Sequence, residues 1–201
     1  MNPETSFYFH IAQTGAHLVK FYTVPSQSMS PNVIKGDYIF VSKAINCPGC
    51  QRAVKRGDIA TFIYPNDRTT TYIKRIIGLP GDTVEIKSTD VLVNGKSISK
   101  GETTDLGSRQ LNDLLKDHKA NLEMADSGEI YPALWKKDEL LKDEIFKVPF
   151  GQVFVLGDNR SHASDSRHFG SLPLTDLVGV AKQIFFSTSD LKRSLKVIDL
   201  N

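Results

Sequence analysis

The stretch Thr71-Tyr72-Ile73-Lys74-Arg75-Ile76-Ile77-Gly78-Leu79-Pro80-Gly81-Asp82-Thr83-Val84-Glu85-Ile86 reads as strand, turn, strand. β-Branched and aromatic residues dominate both arms, and Gly-Leu-Pro-Gly-Asp between them interrupts any regular element. The same grammar spreads outward. Upstream, Tyr38 to Val41 follows the turn Lys35-Gly36-Asp37, and Ile59 to Tyr64 follows Arg56-Gly57-Asp58. Downstream, Val91 to Val93 runs into Asn94-Gly95, a strong hairpin signal, and Gln152 to Leu156 runs into Gly157-Asp158-Asn159-Arg160. Val178 to Phe186 is a further apolar strand. Short strands at this spacing, punctuated by Gly, Asp and Asn, predict a mainly β, antiparallel core.

Between Ser99 and Lys147 the composition shifts towards Lys, Asp, Glu and Leu. Leu111, Leu114 and Leu115 fall at helical spacing behind a Ser108 cap, and Pro132 with Leu140-Leu141 predicts another short helix between Trp135 and Phe146. The expected organisation is a β core from 23–98 and 148–188, with 99–147 inserted as a smaller α+β subdomain. The tail, 189–201, is expected to form a terminal helix.

The chain has 201 residues, enough for one good-sized domain with a real core. With 25 Lys and Arg against 23 Asp and Glu, its formal charge of +2 gives no reason to invoke nucleic acid. Residues 1–22 are interrupted by His10, Gln13, Thr14, His17 and Lys20, so they match neither a membrane span nor a cleavable signal peptide. The two cysteines lie in Cys47-Pro48-Gly49-Cys50. Zinc would need two more ligands, and a redox pair wants a thioredoxin-like setting. The remaining readings are a local disulfide between Cys47 and Cys50 in an oxidising compartment, or two free thiols.

Two places carry chemistry. In Pro25-Ser26-Gln27-Ser28-Met29-Ser30-Pro31 the prolines disfavour helix at Val24 and Ser30. Ser26 and Ser28 are therefore expected on the same side of a turning backbone, an arrangement that suits a hydroxyl nucleophile but also an ordinary surface turn. In the strand Thr71 to Ile77, period two places Tyr72, Lys74 and Ile76 on one face and Ile73, Arg75 and Ile77 on the other. A lysine desolvated by apolar neighbours loses proton affinity and can act as a general base. A lysine snorkelling at a sheet edge is the plainer alternative. Serine and lysine together form a recognised nucleophile and base.

In order, PSQSMSP, KGDYIFVSK, RGDIATF, YIKRIIGLPGD and GDNRSHASDSRHFG strongly resemble the boxes of bacterial type I signal peptidases, from about Val24 to Ala181. The resemblance implies membrane-anchored serine endopeptidases that remove signal peptides from exported preproteins after small residues, at Ala-x-Ala-like sites. It implies Ser28 as nucleophile, Lys74 as general base, and Ser26 with the Ser28 N–H as the oxyanion hole. Arg75 with Asp158, and Asp165 with Arg167, match structural charged pairs. One departure is evident: where the family often has a serine that bonds the lysine, this chain has Ala163, which leaves Ser164 as the candidate for orienting Lys74. The substrate pockets are expected around Met29, Ile76 and Ile77.

The resemblance further implies the β fold shared with LexA-type self-cleaving repressors, no metal or nucleotide cofactor, and signal peptides as partners. It places the enzyme at the bacterial inner membrane, catalytic domain on the outer or periplasmic side, with 1–22 a remnant beside a missing membrane anchor. Two alternatives stay open: a conjugation-type pilin-processing peptidase of the same family, and a non-catalytic module that binds signal peptides.

Overall fold

The computed structural model describes residues 19–45, 53–139 and 142–198. Cys47 and Cys50, most of the 1–22 segment, and Leu140 and Leu141 lie outside the described residues. In chain order the strands are β1 (Val19–Thr23), β2 (Asp37–Ser42), β3 (Ile59–Ile63), β4 (Thr71–Gly78), β5 (Thr83–Lys87), β6 (Asp90–Val93), β7 (Lys96–Ser97) and β8 (Ser99–Thr103). They continue as β9 (His118–Met124), β10 (Ile130–Lys136), β11 (Glu144–Lys147), β12 (Gln152–Leu156), β13 (Leu172–Pro173), β14 (Leu177–Ser187) and β15 (Lys196–Val197). The helices α1 (Arg109–Asn112) and α2 (Ser166–Phe169) are single turns.

The strand pairs are antiparallel, as the alternating sequence pattern predicts. The main sheet runs β1-β2-β14-β3-β4-β12-β13, with β15 on β14. Two smaller sheets, β10-β9-β8 and β11-β5-β6-β7, hold the intervening chain. The stretch 99–147 therefore supplies a sheet of its own and, through β11, a partner for β5. Asn94 and Gly95 both take positive φ, 52° and 75°, the conformation a tight two-residue hairpin requires.

Local signals fared unevenly. Ser108 caps α1 as expected, its Oγ accepting from Leu111 N at 3.3 Å, but the helix ends after one turn and tightens into a 3-10 turn through Lys116. The helix expected between Trp135 and Phe146 does not form. Tyr131, Ala133 and Trp135 are buried at period two, so the stretch through Trp135 runs as β10, and Phe146 belongs to β11. In the tail, a 3-10 turn at Leu191–Arg193 and the short β15 replace the expected helix. Among the described residues no helix is long and apolar enough to cross a membrane.

Three apolar clusters fill the fold. One gathers Val24, Met29, Val33, Ile39, Val41 and Ile184, a second gathers Ile77, Val84, Trp135 and Phe154, and a third gathers Phe62, Ile76, Val155 and Leu172. Met29, Ile76 and Ile77 each have 0% exposure and fall one into each cluster. All three are core side chains, and none lines the open cleft described below.

β9 is tied to the loop that follows β12 by a buried ion pair. Arg160 donates to both Glu123 oxygens at 2.6 and 2.5 Å, Tyr131 Oη donates to Glu123 Oε2 at 3.0 Å, and Arg160 Nε donates to Gly157 O at 3.0 Å. Burial alone would lower the Arg160 pKa, but the Glu123 carboxylate overrides it and holds the guanidinium charged. Breaking one partner of such a pair strands a charge in the interior. Glu123→Gln is expected to lower the unfolding free energy by about 3–5 kcal/mol in urea denaturation, and the double variant Glu123→Leu with Arg160→Met to recover most of that loss.

Candidate active site

The loop between β1 and β2 carries the serine cluster. Its neck closes through Val24 N to Asp37 O at 2.8 Å and Gly36 N to Val24 O at 2.9 Å. Inside, Ser30 N bonds Gln27 O, and Asn32 N and Val33 N both bond Met29 O, so the backbone turns continuously. Met29 points into the core and pins the loop, while Ser28 stays 8% exposed. The two hydroxyls do lie on one side, Ser26 Oγ 3.3 Å from Ser28 Oγ.

β4 brings the lysine to them. Lys74, 3% exposed, donates from Nζ to Ser28 Oγ at 2.8 Å and to Ile73 O at 2.9 Å, and its Nζ sits 5.2 Å from the centre of the Tyr72 ring. Period two does the sorting. Lys74 turns towards the serines and Arg75 turns to the opposite face, as the strand pattern predicts. Arg75 Nε and one terminal nitrogen donate to the two Asp158 oxygens, both at 2.8 Å, and the other terminal nitrogen donates to Gly57 O at 2.7 Å. The guanidinium lies 3.7 Å from the centre of the Tyr131 ring. Burial would lower the Arg75 pKa, but Asp158 reverses that and raises it, so the guanidinium stays charged.

The loop after β12 grips the serine loop from behind. Asn159 N donates to Ser28 O at 3.0 Å and Asn159 Nδ2 to Gln27 O at 3.4 Å. Asn32 Nδ2 bridges Asp158 Oδ2 and Pro132 O, both at 2.8 Å. Asp165 accepts from Gly157 N at 3.0 Å while Arg167 Nε and a terminal nitrogen hold its two oxygens at 2.8 Å. The sequence reading of Arg75, Asp158, Asp165 and Arg167 as charged pairs thus meets two bidentate pairs. Asn32, Asn159 and the Arg160–Glu123 pair escaped it; the signal for Asn159 and Arg160 was their place in the Gly157-Asp158-Asn159-Arg160 turn, whereas nothing local marks Asn32.

Ser164 is the residue expected to orient Lys74. It is exposed, whereas its neighbour Ala163 is buried. The second acceptor for Lys74 is the carbonyl of Ile73, supplied by its own strand.

An open cleft adjoins Ser26 and Lys74. The chain leaving β1, Thr23 to Ser26, forms one side and Thr71 to Lys74 the other, with Tyr22, Ile39 and Thr61 completing the lining. β12 pairs with β4 only from Arg75 onward, which leaves the first half of β4 beside the cleft. This geometry can hold an extended chain against a hydroxyl paired with an amine. Among the described residues no group of three or more His, Cys, Asp or Glu side chains could hold a metal ion.

A family model described as signal peptidase, peptidase S26 matches residues 7–186. The chain is 33% identical over 189 residues to signal peptidase I of Rickettsia typhi, an overlap that takes in 83% of this chain and 72% of that protein. It is 32% identical over 204 residues to signal peptidase I of Pseudomonas fluorescens, covering 88% and 68%. A crystal structure of a signal peptidase I from Enterococcus faecalis is 29% identical, with a TM-score of 0.44 over 64% of this chain and 97% of that one.

Behind the serine, space is tight. A Cβ on Gly157 would lie 2.3 Å from Ala163 Cβ and 2.6 Å from the Ser28 carbonyl oxygen. Gly157→Ala is therefore expected to cost about 1–3 kcal/mol in urea denaturation, because backbone must move to relieve the overlap. Adding Ala163→Gly removes only the first clash, so the double variant should recover less than half of the loss.

Proposed function

The chain belongs to the signal peptidase, peptidase S26 family, and from that membership we propose that it removes signal peptides from exported preproteins as a serine endopeptidase with a Ser28–Lys74 dyad. Membership itself supports signal-peptide removal by a serine protease. The observation that carries the dyad is the contact of 2.8 Å between Lys74 Nζ and Ser28 Oγ, with both residues buried.

Lys74 as an amine takes the Ser28 proton while Oγ attacks the scissile carbonyl. The resulting ammonium gives that proton to the departing amine, leaving an ester on Ser28. Lys74, an amine again, takes a proton from water as that oxygen attacks the ester, and returns it to Ser28 Oγ as the acyl product leaves, which restores both residues. The oxyanion formed at each step is met by the Ser26 hydroxyl and the Ser28 N–H, each such donor contributing about 3–4 kcal/mol in comparable sites.

The substrate lies extended in the cleft between Thr23–Ser26 and β4, where strand-like backbone bonds give affinity and side-chain pockets give selectivity. Val24, Pro25, Tyr72 and Ile73 line it, and their apolar bulk favours small residues before the cut, as in Ala-x-Ala-like sites. In this reading the enzyme works at the outer face of the bacterial inner membrane.

The test is cleavage of a preprotein in detergent or lipid, with sequencing of the product N-terminus. Wild type should cut after a small residue, and Ser28→Ala and Lys74→Ala should each reduce turnover at least about a thousandfold while keeping the wild-type urea midpoint. A variant that keeps a tenth of the activity defeats the dyad. Cutting of a single dedicated propeptide, with general preproteins left intact, would replace the substrate class and keep the chemistry.

A further inference from the structure

The family match ends at residue 186, yet the chain beyond it reaches back into the nucleophile loop. Arg193 is 6% exposed and Asp37 0%. Arg193 Nε donates to Asp37 Oδ1 at 3.3 Å, and a terminal nitrogen donates to Asp37 Oδ2 at 2.9 Å and to Asn32 O at 2.7 Å. The other terminal nitrogen donates to Pro31 O at 3.4 Å. Asp37 Oδ2 also accepts from Ile34 N at 2.9 Å. One buried ion pair thus satisfies two carbonyls and one amide of the loop that holds Ser28.

The segment that delivers Arg193 is itself built to arrive there. Thr188 N and Oγ1 both donate to Gly36 O, and Ser189 Oγ donates to Lys35 O at 2.6 Å. Gly36 has φ +90°, and a Cβ on it would lie 2.4 Å from Ser189 Oγ, so glycine is needed for the approach. Asp190 caps the following turn through Lys192 N, and Ser194 Oγ accepts from Ser187 N at 3.1 Å. Beyond it, Ile198 N bonds Lys182 O and β15 pairs with β14.

We propose that Arg193 is a positioning residue: together with Asp37 it fixes the backbone at Pro31 and Asn32 so that Ser28 is held at reacting distance from Lys74. The loop has no strand ladder to hold it, so the carbonyls that face inward must find donors elsewhere. Asn32 receives both supports, its side chain tied to Asp158 and its carbonyl to Arg193. Releasing one support lets the loop relax, and small misplacements of reacting groups are costly in rate. The consequence for turnover rests on the serine-lysine reading above.

The test combines kinetics with amide hydrogen exchange on the full chain. Arg193→Ala is expected to lower kcat about a hundredfold with KM within about threefold, and Arg193→Lys, which keeps the charge but loses the planar fork, about tenfold. Guanidinium ion at millimolar concentration should restore part of the kcat of Arg193→Ala, which a general loss of stability would not allow. Exchange in Met29 to Ile34 should quicken at least about tenfold in Arg193→Lys, with β4 and β12 unchanged. If the alanine variant does not fold, the lysine variant decides alone. A kcat within twofold of wild type in a folded variant, or unchanged exchange in the loop, overturns the proposal. Should the wild type fail to cleave any preprotein, the exchange result still decides the clamp while the proposed function falls.

Discussion

The contact between Lys74 Nζ and Ser28 Oγ sets the demand that the surrounding structure meets. Its two ends are held by different means. Lys74 stands on β4, whose register with β3 is fixed from Ile59 opposite Arg75 to Ile63 opposite Thr71, so the lysine's place follows from strand pairing. Ser28 stands on a chain of turns that, among the described residues, joins no strand ladder. What holds it is a set of buried carboxylates, each with three or more donors: Asp158 takes two from Arg75 and one from Asn32, and Asp37 takes two from Arg193 and one from Ile34. Taking such charges out of water is unfavourable, and apolar residues of equal volume would often give comparable stability. What apolar residues cannot supply is direction. A carboxylate with three donors in place admits little rotation, and that rigidity passes to the carbonyl and amide groups of the loop.

The supports come from distant parts of the chain. β14 inserts between β2 and β3, and β12 lies beside β4, so strands from the C-terminal half complete a sheet that the N-terminal half begins. The loop after β12 then bonds the serine loop directly through Asn159 N. Ser28 and Lys74 are 46 residues apart, but Arg75 and Asp158 are 83 apart and Asp37 and Arg193 are 156 apart. The Ser28–Lys74 contact closes only when these long-range pairings are made. Such non-local contacts form slowly, since the loops they close are long.

How much of this could be read from residues follows the same division between local and distant. The strands were legible because turn residues and period-two patterns act over a few positions, and the split of Lys74 from Arg75 follows from the same period. The proximity of Ser26 and Ser28 follows from two prolines flanking them. For Met29, Ile76 and Ile77, closeness in sequence to Ser28 and Lys74 says nothing about exposure. Met29 is the side chain that anchors the loop, and Ile76 and Ile77 lie beyond the point where β12 joins β4, so all three are covered. Around Trp135, a leucine pair and a proline suggested helix, but burial of Tyr131, Ala133 and Trp135 against neighbouring elements decided for strand. Arg193 carried no signal at all, because an arginine in a polar tail looks the same whether it faces water or a buried aspartate.

The arrangement also leaves only one side of Ser28 open. Behind Ser28 its carbonyl is bonded by Asn159 N, and Gly157 comes so near that a single added carbon would collide with that carbonyl and with Ala163. That face is closed by backbone, which cannot swing aside as a long side chain can. On the other face stand Ser26, Pro25, Tyr72 and Ile73, and there the surface opens into the cleft. Ser26 lies on the open face, 3.3 Å from Ser28 Oγ, so under the proposed function a carbonyl entering the cleft would meet both hydroxyls together. Lys74 reaches the same oxygen from its own strand, with Ile73 O accepting its second bond, so amine and Ser26 hydroxyl approach Ser28 from different elements. A strand for Lys74, a turning loop for Ser28 and a small-residue wall behind it leave one open face, and under the proposed function that selection of face would precede any recognition of a peptide's side chains.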